Sequence, residues 1–128
     1  MELATNMTAV GTKLPGRMEL AAALALKYGN DEEKLAEEIH DCIGTGAYTS
    51  EVVPSAVGFI LAASNDLEKA LRLAVNAGNQ TNKTAAIVCA VVAAATGSTV
   101  LVDKYYDIVK QNNSLDFDAL EAELEAFL

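Results

Sequence analysis

The sequence predicts an all-α fold, and three observations carry this prediction. Alanine is abundant while aromatic residues make up only 5% of the chain, so the core must be built from small aliphatic side chains. Apolar residues recur at the spacing of one helix face, and capping residues stand where these stretches begin and end. No stretch alternates between apolar and polar residues as a strand would. With 128 residues and 52% hydrophobic content, we predict a single domain over residues 1–128.

Seven helices are predicted from start and stop signals. Residues 1–13 show no period and are expected to form an irregular lead-in. Proline in the first turn, capping boxes and terminal glycines mark the first five helices. These are expected over residues 15–28, 30–43, from Ser50 or Val53 onward, 65–78 and 84–96. Apolar residues between 101 and 109 mark a sixth helix, and Asp116 caps a seventh.

Three of these helices carry a prediction about their buried faces. The stripe expected to be buried in the third helix comprises Val53, Val57, Ile60 and Leu61. The fifth helix is almost wholly apolar, and we therefore expect other helices to surround it. The residues expected to face inward in the seventh helix are Phe117, Leu120, Leu124 and Phe127.

Charge and cysteine content limit the classes of protein to which this chain can belong. The net charge is −9, with acids concentrated in residues 31–51 and 111–128, which argues against a nucleic-acid partner. The longest apolar run, Ala85 to Ala95, is shorter than the ~18 residues of a membrane span. No signal peptide is visible, so a cytoplasmic location is expected. Cys42 and Cys89 lack metal-ligand spacing and are expected to be free, reduced thiols.

Few residues suggest catalysis. His40 is the only histidine, so no Ser/His/Asp set can be assembled, and its place on an acidic helix favours a surface or partly satisfied side chain. Tyr105 and Tyr106 have the chemistry to stack a base, but tyrosine at helical spacing more often belongs to a core. The acids are most simply solvated helix faces. We therefore predict no catalytic residue.

The most informative segment is the polar stretch from Gly78 to Thr84, which separates two apolar helices. Free backbone N–H groups at the start of the following helix, together with its dipole, suit an anion or a phosphate. Lys83 in the first helical turn is unfavourable to that dipole, which suggests a compensating reason for it. The alternative is that Lys83 simply points into solvent.

Three motifs in order and spacing resemble the C-terminal part of the ADP-ribosylglycohydrolase family. They are Gly44-Thr45-Gly46, Glu51-Val52-Val53-Pro54 and Thr84-Ala85-Ala86-Ile87. With Arg17 and its helix upstream, the resemblance spans roughly residues 11–98. It implies a compact orthogonal multi-helix bundle. It also implies a family activity, the hydrolysis of ADP-ribosyl N- or O-glycosidic bonds with Mg²⁺.

The resemblance also shows what this chain lacks. The family's Gly-Gly-Asp-Thr-Asp-Thr motif falls on residues 78–83, and its metal-ligand positions are here Gln80, Asn82 and Lys83. Each lost carboxylate removes about 4 kcal/mol of attraction at ~4 Å and an effective dielectric of ~20, and Lys83 adds repulsion. We therefore predict no metal and no cofactor at this loop. The family's further Thr-Asp-Asp ligands have no counterpart in the sequence, which contains no Asp-Asp pair.

Three functions remain in view. The leading hypothesis is a catalytically degenerate domain with a weak site for an anion or an ADP-ribose-like nucleotide. The second is one part of a split Mg²⁺-dependent hydrolase completed by a partner chain. The third is a self-association module, a homo-oligomer or a complex in which a partner covers exposed apolar helix faces. The candidate binding residues are Gly44, Thr45, Gly46, Glu51, Gly78, Asn79, Gln80, Thr81, Asn82 and Lys83.

Overall fold

The computed structural model describes residues 13–114 and 116–127, and every regular element within them is a helix. This confirms the predicted all-α fold class. The helices are α1 (Lys13–Tyr28), α2 (Glu32–Cys42), α3 (Thr49–Ala63), α4 (Leu67–Val75), α5 (Thr81–Thr96), α6 (Val100–Asn113) and α7 (Phe117–Glu125). Apart from Lys13, which begins α1, the expected lead-in over residues 1–13 lies outside the described residues.

The chain divides into two compact units, Met1–Ser98 and Thr99–Leu128. The first contains α1 to α5 and the second contains α6 and α7. The expectation of one domain stays a prediction. Along the described parts of both units, no helix is long and apolar enough to cross a membrane.

Three helices begin at an aspartate that accepts a hydrogen bond from a backbone amide three residues later. The bonds run from Lys34 N to Asp31, from Lys69 N to Asp66 and from Ala119 N to Asp116, at 3.0, 2.9 and 3.2 Å. Such caps satisfy one of the free amides of a first turn and contribute about 1 kcal/mol each. Asp31 and Asp66, rather than the preceding asparagines of the two predicted capping boxes, take the N-cap position.

Helix α3 is the centre of the first unit, because it contacts α1, α2, α4 and α5. Its Phe59 is completely buried, as are Leu35 and Ile39 of α2. Small residues let the helices approach closely: a Cβ on Gly58 would lie 3.4 Å from the Cβ of Ala21. The core therefore consists of a few large side chains set among alanines, as the composition predicts.

The stripe predicted for α3 is wrong. Val53, Val57 and Ile60 are only partly buried, and Leu61 is 46% exposed. The buried hydrophobic residues of α3 are instead Val52, Ala56, Phe59, Ala62 and Ala63. Neighbouring helices pack closely on several sides of α3, and close packing favours small side chains where the backbones approach.

The surroundings predicted for α5 are also wrong. Only one stripe is buried, formed by Thr84, Val88 and Val92 at a spacing of four residues. Beside this stripe, Ile87 is 38% exposed and Val91 is 46% exposed. The helix is apolar all round, but within the described residues only α3 and α4 make substantial contact with it.

In the second unit, neither α6 nor α7 has a buried residue. The inward-facing residues predicted for α7 are therefore wrong: Phe117, Leu120, Leu124 and Phe127 are 36%, 46%, 66% and 90% exposed. Tyr106 lies against Phe117 with ring centroids 5.6 Å apart, and its hydroxyl donates to Asp118 at 3.0 Å. Two helices without a third layer cannot enclose an apolar core.

Candidate functional site

The site is anchored by an interaction between α1 and α3 that Pro54 makes necessary. Proline has no backbone N–H, so the carbonyl of Ser50, four residues earlier, loses its usual helical donor. Arg17 of α1 supplies the missing donor, with Nη1 2.7 Å from the Ser50 carbonyl oxygen and 3.2 Å from the Ser50 hydroxyl. Arg17 thus fixes the first turn of α3, which carries Glu51.

The Gly44-Thr45-Gly46 loop wraps around the Glu51 carboxylate. The backbone N–H of Gly46 donates to Oε2 of Glu51 at 2.9 Å. A Cβ on Gly44 would lie 2.9 Å from the Glu51 carboxyl carbon, and one on Gly46 would overlap Oε2. Gly44 also has a φ of +92°, a conformation that other residues rarely adopt. Glycine is therefore required at both positions by the side chain they enclose.

Thr45 joins this loop to the segment that precedes α5. Its side chain is buried, and its hydroxyl donates to the carbonyl of Ala77 at 3.2 Å and accepts from the side-chain amide of Asn79 at 3.2 Å. Its carbonyl accepts from the backbone N–H of Gln80 at 3.0 Å. The structure thus brings Thr45 of the first motif against Asn79 and Gln80 of the second.

His40, at the end of α2, takes part in the same network. Its Nδ1 lies 2.9 Å from the Ala77 carbonyl oxygen and 3.0 Å from the Thr45 hydroxyl. A carbonyl oxygen can only accept, so Nδ1 is the donor in the contact with Ala77. The ring also lies over Gly78, whose φ is +79° and whose added Cβ would come within 3.3 Å of it.

The connection between α4 and α5 lies three residues earlier in the chain than the sequence suggested. α4 ends at Val75 rather than at Gly78, and α5 begins at Thr81 rather than at Thr84. Thr81, Asn82 and Lys83 therefore form the first turn of α5 instead of a loop. The Thr84 amide donates to the Gln80 carbonyl at 3.1 Å, which opens the helical hydrogen-bond ladder.

The start of α5 differs from that of every other helix from α2 to α7. Its N-cap residue, Gln80, makes no side-chain hydrogen bond to the first turn, and that turn contains no acid. The others have an aspartate cap or an acidic residue in the first turn. Lys83 is exposed, and its ammonium makes no hydrogen bond or ion pair with the described residues. The amides at the start of α5 are thus left without side-chain acceptors.

The side chains at the family's metal-ligand positions do not fit a divalent cation. Gln80 and Asn82 offer neutral amide oxygens and Lys83 offers a positive charge, whereas Mg²⁺ prefers anionic oxygens. Glu51, the acid of the neighbouring motif, already accepts from Gly46. No group of three or more acidic, histidine or cysteine side chains within residues 13–114 and 116–127 is arranged to hold a metal ion.

A groove of about 670 Å³ between α2 and α4 reaches the site at His40 and Gly78. Its floor includes Leu73, while its rim carries Glu33, Glu37 and Asp41 and the Arg72–Glu32 ion pair. The acidic rim disfavours a phosphate inside the groove. Of the two surfaces, the start of α5 is therefore the more suitable for an anion.

The two cysteines do not contribute a reactive group. Both are free thiols, with Cys42 exposed and Cys89 partly buried on α5. Desolvation raises the pKa of the Cys42 thiol, and the negative charge of Glu38 raises it further. Burial also raises the pKa of Cys89. Both thiols therefore stay protonated at neutral pH and are poor nucleophiles.

Sequence reasoning missed two members of the site. Ser55 is fully buried and donates to the Gly44 carbonyl at 2.8 Å, and His40 holds Ala77 and Thr45. The sequence could have indicated Ser55, because it follows Glu51 by four residues and therefore lies on the same face of the helix. The sequence held no such signal for His40, since its contact with Ala77 joins residues that are 37 positions apart in the chain.

Comparisons of the sequence with known proteins identify the family. The ADP-ribosylglycohydrolase family model matches residues 2–127. The chain is similar to the uncharacterised protein YegU of Escherichia coli (strain K12), with 25% identity over 113 residues. This match covers 88% of the chain but 34% of YegU, so the chain spans about a third of that relative's length. No solved structure matches the chain.

Proposed function

The chain belongs to the ADP-ribosylglycohydrolase family, and from this premise we propose that it is a catalytically degenerate member that binds the phosphates of an ADP-ribose-like ligand weakly at the start of α5. The observation that carries the proposal is the combination, at one helix start, of absent side-chain caps and an unpaired lysine. This combination replaces the metal ligands that the family motif would place there.

The charges at the start of α5 favour an anion over a cation. The first amides of a helix, with the positive end of its dipole, attract an anion. In a metal-dependent relative, acids would bind a cation and the cation would bind the ligand. Here Lys83 supplies a positive charge directly, while Gln80 and Asn82 add no negative charge. The scaffold retains an anion site without the hydrolytic ion.

The position of the segment supports this proposal. Thr45 makes three hydrogen bonds to this segment, one each with Ala77, Asn79 and Gln80. Because the backbone before α5 is tied to a buried side chain, its amides are preorganised, which reduces the entropy lost on binding. A single weakly enclosed phosphate site corresponds to a millimolar to high-micromolar dissociation constant, about −4 to −6 kcal/mol.

The test is a titration of ADP-ribose against the protein without metal, followed by amide chemical shifts. We expect shifts at Thr81 to Lys83, and we expect Lys83→Glu to remove them. Lys27→Glu is the matched control, since it changes the net charge equally at an exposed lysine of α1. Absence of binding at about 10 mM ligand, or equal binding by Lys83→Glu and the wild type, would refute the proposal.

One observation favours a second candidate. The chain covers 34% of the length of YegU. In this second candidate, a further polypeptide supplies the acidic metal ligands and completes a hydrolase. The two candidates differ in their dependence on metal. In the degenerate protein, Mg²⁺ should leave ADP-ribose binding unchanged. A partner-completed enzyme should instead release ADP-ribose from a modified protein only when partner and Mg²⁺ are both present.

A further inference from the structure

Helix α5 presents a continuous exposed apolar surface that begins beside its buried stripe and extends around the helix. The exposed residues are Ala86, Ile87, Ala90, Val91, Ala94 and Ala95, which we call the α5 face. They form two neighbouring columns along the helix, and none of them carries a polar side chain. An apolar surface of this kind on a helix marks an interaction site.

We propose that the α5 face is the contact between two copies of this chain, with the two α5 helices antiparallel across a twofold axis between Ala90 and Val91. In that register, the numbers of two residues that face each other across the axis add up to 181. Val91 of one copy then lies opposite Ala90 of the other, and Ile87 lies opposite Ala94. Each larger side chain meets an alanine, so the face is complementary to itself, as a twofold contact requires.

Charge complementarity also favours a second copy. Lys83 stands in the first turn of its own helix, where the dipole repels it. In the antiparallel pair, it lies opposite Ser98 of the second copy, just past the negative end of that α5 helix. The contact occurs twice, once at each end of the pair. Because Lys83 is engaged at this contact in the dimer, dimer formation competes with the phosphate binding proposed above, and the association tests below are made without ADP-ribose.

The α5 helix contains no acidic residue, so the net charge of −9 places no acidic side chains of α5 at the contact. The acids are concentrated in residues 31–51 and 111–128, away from the α5 sequence. A contact limited to two helices of 16 residues, each about 24 Å long, buries less than the ~1,200 Å² of a stable interface. We therefore expect a weak, concentration-dependent dimer.

The first test is sedimentation equilibrium of the full chain from about 10 µM to about 1 mM, the range of weak association. Val91→Lys should raise the dissociation constant at least ~10-fold, because it buries an unpaired charge. Leu61→Lys is the matched control, since Leu61 of α3 is also 46% exposed, and it should leave association unchanged. Lys83→Met should weaken the dimer about 3- to 10-fold through loss of two dipole contacts.

The second test fixes the orientation by disulfide formation in a Cys42→Ser/Cys89→Ser background. Ala90→Cys should form a disulfide-linked dimer, because the two copies of residue 90 lie next to each other at the axis. Ala94→Cys should not, since its two copies are separated by about 10 Å along the helices, beyond disulfide reach. Circular dichroism of each variant verifies that it is folded.

Three results would overturn the proposal. One is a wild-type chain that stays monomeric at about 1 mM, which would leave the α5 face to another polypeptide or another segment of this chain. Another is a dimer that Leu61→Lys weakens as much as Val91→Lys does. The last is that Ala90→Cys and Ala94→Cys form disulfide-linked dimers to the same extent, or that neither forms them.

Discussion

The two units of the molecule use the same local signals and differ in what those signals achieve. α4 of the first unit and α7 of the second each have 9 residues and an aspartate cap, Asp66 or Asp116. Yet α4 buries four residues and α7 buries none. The difference teaches that caps and periodicity form a helix, whereas burial requires a further layer for its apolar face to pack against.

Polar contacts cannot replace that layer. In the second unit, the Lys110 ammonium lies 3.1 Å from a carboxylate oxygen of Asp118 and 3.5 Å from one of Asp116. All three side chains are exposed or nearly so. Exposed ion pairs contribute about 0–1 kcal/mol each. In the first unit, by contrast, Phe59, Leu35 and Ile39 are fully buried. We expect the first unit to account for most of the free energy of unfolding.

The largest expected effect tests this contrast directly. Phe59→Ala should lower the free energy of unfolding by about 3–5 kcal/mol, because it leaves a cavity among packed helices. Phe127→Ala removes the same atoms from a side chain that is 90% exposed, and should change stability by less than about 0.5 kcal/mol. Urea unfolding followed by circular dichroism measures both. Similar losses for the two variants would contradict the contrast between the units.

A medium effect is expected from the hydroxyl at the centre of the site. Thr45→Val keeps the shape of the side chain but loses its hydrogen bonds to Ala77 and Asn79, which should cost about 1–3 kcal/mol. It should also weaken ADP-ribose binding by loosening the start of α5. Thr99→Val is the control in the second unit, where the exposed hydroxyl donates to Asp103, and should cost at most about 0.5 kcal/mol. The prediction fails if Thr45→Val is as stable as the wild type.

The smallest expected effect is a pH dependence. A hydrogen bond from Arg72 lowers the pKa of Glu32 below its ordinary value of 4.5. A lowered folded-state pKa stabilises the protein above pH 4.5, and this contribution is lost as the pH falls through the folded-state pKa. The pair is partly exposed, so its contribution is about 0.2–1 kcal/mol.

The measurement compares the wild type with Glu32→Gln in urea at pH 7, 5 and 3. The stability difference should be greatest at pH 7 and should shrink as the pH falls below 4.5 toward the lowered pKa of Glu32. A difference that stays constant over this range would contradict the proposed cause. Asp118 of the second unit offers the parallel case, because the hydrogen bond from Lys110 lowers its pKa.

The sequence by itself determined the helices and the two site motifs. Helix starts depend on nearby residues, such as Asp116 and the amide of Ala119, so local patterns predict them. The glycines of the 44–46 motif were likewise visible, although the sequence did not reveal that they enclose Glu51. The family resemblance linked that motif to residues 78–83 without showing a contact between them.

Only the tertiary structure decided which faces are buried and which side chains meet. The predicted faces of α3 and α7 were wrong because hydrophobicity indicates that a residue favours burial. It does not indicate which neighbouring element is available to cover that residue. The same limit hid His40, whose partners Thr45 and Ala77 lie 5 and 37 residues away. Contacts between distant segments depend on how helices pack, and packing is a property of the whole fold.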